Sequence, residues 1–93
     1  MLTGIVLIEV ESRKIPEAAA AIANIDRVDS VFSVTGDVDL IALVRVEQHE
    51  DFATVIADKV SKVDGVEGTK TYLAFREYSQ DDLEVAFDLG FTD

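Results

Sequence analysis

The stretch VTGDVDLIALV, which runs from Val34 to Val44, decides how the rest of the chain is interpreted. A short strand-like run ends in Thr35-Gly36-Asp37, where glycine can take positive φ and aspartate can bond its own backbone, so a turn is predicted there. A long apolar run follows at once and extends from Asp39 to Val46. The pattern predicts a hairpin whose second arm is a strand buried on both faces.

Strands and helices alternate on either side of this hairpin. Runs rich in Ile, Val, Thr and aromatic residues predict strands over residues 1–10, 29–35, 39–46 and 66–78. Proline suits the first turn of a helix, so the first helix is predicted from Pro16 to about Asp26. Glu50 and Asp51 suit the positive end of a helix dipole, and the second helix is predicted to begin with them and to end at Asp64-Gly65.

The order strand, helix, strand, strand, helix, strand predicts an α+β fold of the ferredoxin-like βαββαβ type. Its four-stranded antiparallel sheet carries both helices on one face. The first and third strands are the most apolar, so we expect them at the centre and the other two at the edges. Because two helices cover one face, the bare face would expose aliphatic and aromatic side chains. We therefore predict a dimer that buries this face against a second copy.

Composition narrows the class of protein. The 93 residues suffice for one domain, and eight basic residues against nineteen acidic ones give a net charge of −11. Such a surface repels phosphate, which disfavours direct binding of nucleic acid.

The sequence has no cysteine, so it has no disulfide or thiolate metal site, and the apolar run 2–8 is too short to cross a bilayer. We expect a cytoplasmic protein without a membrane segment.

The last residues form an acidic extension. We place the domain at residues 1–78 and the extension at 79–93, with a short helix predicted over about 81–89, where Ser79 would cap the helix. Leu83 and Phe87 would share one face of that helix. We expect this face to pack on its own domain or on a neighbouring subunit and so to influence the size of the assembly.

Residues 2 to about 78 resemble the effector-binding domain of the Lrp/AsnC regulators, often called the RAM domain. The resemblance rests on three stretches: the turn Val34–Leu40, Asp64-Gly65-Val66 before the last strand, and Thr69-Lys70-Thr71 within it. It implies a ferredoxin-like dimer that assembles further into a tetramer or a ring of up to a decamer. It also implies an amino-acid effector bound between dimers near the Gly-Asp turn. Since no helix-turn-helix precedes Met1, we expect a stand-alone sensing and oligomerising module that acts on transcription indirectly, alone or with full-length Lrp/AsnC regulators.

The chemistry of an amino acid suits this turn. Its carboxylate needs backbone N–H donors and its ammonium needs a carboxylate acceptor, and Thr35-Gly36-Asp37 offers both. The resemblance places the ligand-binding residues of the turn at Gly36, Asp37, Val38 and Asp39, and those of the last strand at Thr69 and Thr71. Many relatives have an aromatic residue where Val38 stands. No cofactor or metal is implied.

Simpler roles remain open for the same side chains. Asp37 and Asp39 are also suited to shaping the hairpin, and two carboxylates alone make a poor metal or acid/base site. Thr69 and Thr71 are ordinary strand residues as well. His49 fits capping or solvation at the second helix. The aromatic residues near the chain end fit the core or an interface: Tyr72, Phe75 and Tyr78.

Two further functions stay as alternatives to a non-enzymatic sensor. One is a small cofactor-free oxygenase of the dimeric α+β barrel type, since that fold hosts both kinds of protein. Such an enzyme needs polar groups in a cavity between sheet and helices, whereas these helix faces carry aliphatic residues and one Phe. The other alternative is a structural oligomer without a ligand.

Overall fold

The computed structural model describes residues 1–79. Four strands and two helices alternate in the predicted order, and a short 3-10 turn precedes the first helix while another follows the second. The elements are β1 (Leu2–Val10), α1 (Ile15–Ala23), β2 (Val28–Ser33), β3 (Leu40–Val46), α2 (His49–Asp58) and β4 (Val66–Leu73), with 3-10 turns at Ser12–Lys14 and Val60–Lys62.

The strands form one antiparallel sheet in the order β2-β3-β1-β4. In β1, Ile8 pairs with Leu40 of β3, and Val6 pairs with Thr71 of β4. The ferredoxin-like βαββαβ fold is therefore confirmed, as are the central positions of the two most apolar strands. The chain reaches this order because both crossovers carry a helix and the Gly36 turn joins two adjacent strands.

The helices cover one face of the sheet, and the core lies between them. Along the central strands, alternate side chains point into this core, as the period of two requires. All buried side chains of the described part are apolar: Val6, Ile8, Val10, Ala18, Ile22, Leu40, Ala42, Val44, Val46, Phe52, Val55 and Val60.

The opposite face of the sheet, which we call the open face, has no helix over it. It carries partly exposed aliphatic side chains of the central strands, and its two aromatic residues, Phe32 and Tyr72, are 51% and 53% exposed. The register places on this face Ile5, Leu7, Phe32, Ile41, Leu43 and Tyr72. The predicted bare apolar surface is thus present on the single chain.

Helix α1 begins as predicted and ends earlier. Pro16 lies in its first turn, and Ala18 and Ile22 face the core. The helix ends at Ala23, three residues before the predicted end at Asp26, so that boundary was wrong. The chain must turn sharply into β2, and it does so through Arg27, whose φ is +82°.

Helix α2 is shorter than predicted. Gln48 and Asp51 form a capping box that starts it at His49, so His49 is the first helical residue and not the cap. The prediction of a continuous helix to Asp64 was wrong, because Lys59 leaves the helical region with φ −121° and ψ −61°. After this break the 3-10 turn packs against β4 with Val60 fully buried.

The last strand ends at Leu73 and not at Tyr78. The amide of Ala74 donates to the carbonyl of Thr3 at 2.8 Å. After Ala74 the chain has passed the start of β1, the strand with which β4 pairs. Phe75 and Tyr78 are 103% and 70% exposed, so neither belongs to the core of the single chain. The predicted helix over 81–89 lies outside the described residues. Within residues 1–79, neither helix has the length and apolarity needed to span a bilayer.

Candidate ligand-binding site

The connection between β2 and β3 spans residues 34–39 and forms the predicted turn. Gly36 lies at φ +128°, a backbone conformation that favours glycine. The amide of Val34 donates to the carbonyl of Asp39 at 3.1 Å and closes the turn. A glycine is needed here for backbone reasons, whatever else the turn does.

Asp39 ties this turn to β1. Its carboxylate oxygen Oδ2 accepts a hydrogen bond from the amide of Val10 at 2.8 Å, at the point where the pairing of β1 with β4 shifts register. The amide of Asp39 donates to the carbonyl of Ile8 at 3.0 Å. Asp39 therefore satisfies backbone groups of β1, which is the hairpin-shaping role that the sequence left open.

Asp37 has different surroundings. Its side chain is exposed, and with Val38 it lines a cavity of about 260 Å³ between the turn and β4. The cavity lies on the open face, with Leu7 and Tyr72 supplying apolar surface. Its lining residues are Leu7, Glu9, Asp37, Val38, Gly68, Thr69, Lys70 and Tyr72.

The structure brings together three of the seven residues predicted for the site. Asp37, Val38 and Thr69 line the cavity. Thr71 pairs with Val6, whose side chain is in the core, so the side chain of Thr71 lies on the helix side of the sheet. Thr69 pairs with the equally buried Ile8, so its side chain also lies on the helix side although the residue borders the cavity. Thr35, Gly36 and Asp39 belong to the turn and form its frame.

Five further residues of the cavity were missed by the sequence reasoning: Leu7, Glu9, Gly68, Lys70 and Tyr72. The signal for Gly68 was available, because a glycine inside a strand often marks a place where a ligand or another backbone approaches closely. A Cβ at Gly68 would meet no heavy atom nearer than Oε1 of Glu9, at 4.0 Å. The residue therefore leaves open space over β4.

The cavity carries charges that the described part of the chain leaves uncompensated. Glu9, Asp37 and Lys70 are all exposed, and none forms a side-chain hydrogen bond or ion pair with another residue in 1–79. Carboxylate and ammonium groups of both signs are thus available to a ligand. Within the same residues, no three His, Asp or Glu side chains gather as a metal site requires.

A larger cavity of about 480 Å³ lies at the other end of the open face. Arg45 lies near two acids there: its Nε is 3.6 Å from Asp29 Oδ2, and its Nη2 is 3.9 Å from Glu77 Oε1. These distances are too long for hydrogen bonds, and the buried Nε has no hydrogen-bond partner among residues 1–79. The guanidinium of Arg76 lies 6.0 Å from the ring centroid of Tyr78. The smaller cavity borders the predicted turn, and its three charged side chains form no ion pair within residues 1–79, so it is our candidate for an amino-acid site.

The chain is similar to known proteins in both sequence and structure. An uncharacterized HTH-type transcriptional regulator of Pyrococcus furiosus is 35% identical over 80 residues, which cover 86% of this chain and 53% of that protein. The chain thus spans about half the length of the curated relatives it matches. A crystal structure of a Thermus thermophilus protein superposes with a TM-score of 0.81 at 40% identity, covering 86% of this chain and all of that one.

A feast or famine regulatory protein from M. tuberculosis, solved in complex with L-methionine, shares the fold. Its TM-score is 0.73 at 22% identity, and the match covers 87% of this chain and 54% of that protein. The family model described as the Lrp/AsnC ligand binding domain matches residues 3–83. The sequence, the fold and these matches agree, and the chain belongs to the Lrp/AsnC ligand-binding domain family.

Proposed function

We propose that this chain is a non-enzymatic amino-acid sensor and oligomerisation module that acts on transcription indirectly. Its site is the cavity between the Gly36-Asp37 turn and β4, where the ligand lies at a subunit interface. The observation that carries the proposal is the set of free charges of both signs beside an apolar floor. Asp37 receives the α-ammonium group, and Lys70 receives the α-carboxylate.

The surroundings of the two aspartates support this assignment. The carboxylate of Asp39 already binds a backbone amide, whereas Asp37 lines the cavity with an exposed side chain. The relative from M. tuberculosis was crystallised with an amino acid, L-methionine, which agrees with the same class of ligand. We extend the class to this chain as part of the proposal.

The fold also favours a sensor over an oxygenase. The space between sheet and helices, where such an enzyme would hold its substrate, is filled by apolar side chains, including Ile8, Ile22 and Val44. Available polar groups lie on the open face instead. A site on a bare sheet face suits a ligand held where two subunits meet.

We further propose that the open face is buried against a second copy, and that dimers associate further into a tetramer or ring. A ligand that contacts both subunits has a different affinity for the assembled and separated states, so its binding shifts the assembly. Association with full-length Lrp/AsnC regulators would transmit that shift to DNA. The acidic surface of this chain is unsuited to contacting DNA itself.

Isothermal titration calorimetry with the twenty amino acids tests the proposal. We expect at least one to bind, and expect Asp37→Asn and Lys70→Gln each to weaken it about tenfold or more, since each removes a charge-assisted hydrogen bond. Asp58→Asn is the matched control, because Asp58 is exposed on α2 and away from the cavity. If no amino acid binds, the proposed function is wrong and the alternative of a structural oligomer without a ligand is favoured.

A further inference from the structure

The charged side chains that line the cavity indicate which class of amino acid would bind there. This inference rests on the proposed function. Two carboxylates, Glu9 and Asp37, stand beside one ammonium, that of Lys70. An amino acid with a neutral side chain brings one ammonium and one carboxylate. It would pair with Asp37 and Lys70 and leave Glu9 without a counter-charge.

A ligand with a second positive group resolves this imbalance. Its side-chain cation would complement Glu9, whereas an acidic side chain would add repulsion beside two carboxylates. The net charge of −11 acts in the same direction, because it raises the local concentration of cationic ligands around the molecule.

The walls of the cavity suit the rest of such a ligand. Leu7, Val38 and Tyr72 offer apolar surface on which a chain of methylene groups can lie, and the tyrosine ring also attracts a nearby cation. Gly68 keeps the space over β4 open, since a side chain there would enter it. The volume of about 260 Å³ suits one amino acid and is small for a nucleotide or a larger cofactor.

We propose that the cavity selects a basic α-amino acid, of the lysine, arginine or ornithine class, and that Glu9 determines this preference. Asp37 holds the α-ammonium, Lys70 holds the α-carboxylate, and Glu9 holds the cation at the end of the side chain. Glu9 is therefore a specificity-determining residue of the binding site.

Calorimetric titration of the full chain with L-lysine and with L-norleucine isolates the contribution of the second cation, since the two ligands differ at the end of the side chain. We expect L-lysine to bind about tenfold more tightly than L-norleucine in low salt. Glu9→Gln should reduce this ratio to near one by weakening the binding of L-lysine. Glu47→Gln is the matched control, because Glu47 is exposed just past the far end of β3 and should preserve the ratio.

The outcomes separate this inference from the proposed function. If L-norleucine or L-leucine binds as tightly as L-lysine, the inference is wrong and the amino-acid sensor stands. If the preference for L-lysine survives in Glu9→Gln with its far-UV circular dichroism unchanged, the role of Glu9 is wrong. If none of the amino acids binds, the proposed function fails and the inference fails with it.

Discussion

Two aspartates in one turn differ in what they contact, and that difference separates shaping the fold from binding a ligand. Asp39 accepts a hydrogen bond from the buried strand β1 through the amide of Val10, at 2.8 Å. Asp37 is exposed and lines the cavity. The sequence motif Gly-Asp-Val-Asp presents both as equals, because spacing along the chain does not reveal which carboxylate meets a backbone amide.

Replacing these aspartates should therefore affect stability unequally. We expect Asp39→Ala to lower the free energy of unfolding by about 1.5–3 kcal/mol, since it leaves the Val10 amide without its charged acceptor. Asp39→Asn, which keeps an oxygen acceptor, should cost less. Asp37→Ala should change the free energy of unfolding by less than about 0.5 kcal/mol, as for other exposed positions. Urea denaturation measures all three, and equal losses for the two alanine variants would refute the assignment.

Two strand glycines offer a second contrast at the residue scale. A Cβ at Gly4 would lie 2.8 Å from Cε1 of the Phe52 ring, so this glycine is what lets the ring of α2 pack on β1. We expect Gly4→Ala to lower the free energy of unfolding by about 1–3 kcal/mol. Gly68→Ala is the matched control and should be neutral or slightly stabilising, because the space over it is open. If Gly4→Ala leaves the melting temperature unchanged, the Phe52 ring is not confined as described.

At the scale of elements, runs of β-branched, aliphatic and aromatic residues predicted the strands and their order, because strand propensity and the turn at Gly36 are local properties. Helix ends were predicted less well. The end of α1 depends on how the chain enters β2 through Arg27, and the break in α2 depends on where Val60 finds room in the core. Both are decided by packing between elements. The same limit explains why Glu9 and Lys70, on different strands, were not recognised as one site.

One ion pair connects elements that are distant in sequence and makes the stability of the fold depend on pH. Nζ of Lys14, just before α1, donates to the carboxylate of Asp64, just before β4, at 3.1 and 3.2 Å. This hydrogen bond, with the attraction of Asp64 and then Glu11, raises the pKa of Lys14 above its ordinary value of 10.5. Because the pKa is higher in the folded state, the stabilisation is complete below pH 10.5 and is lost as the pH rises through the folded-state value.

Asp64→Asn should consequently lower stability slightly at neutral pH. The difference in stability between this variant and the natural sequence should shrink at a pH above 10.5. Both groups are exposed, so the effect is small and is best followed as a melting temperature across the alkaline range. Asp58→Asn, which removes an exposed acid elsewhere, serves as the control. A difference that grows with pH in this range would contradict the assignment.

At the scale of the whole molecule, the open face is the feature that the single chain leaves incomplete. Its aliphatic side chains lie on the two central strands, with Phe32 and Tyr72 half exposed beside them. Leu43→Glu would place a charge at the middle of this surface, and we expect it to separate the subunits while the fold is kept, because Leu43 points away from the core. Ala20→Glu, on the exposed side of α1, should leave the assembly intact.

The mass of the natural chain in solution tests most directly whether a second copy covers the open face. Size-exclusion chromatography with light scattering, over a range of concentrations, should give at least twice the chain mass of 10.2 kDa. A mass of 10.2 kDa at every concentration, with the chain folded by circular dichroism, would contradict the account.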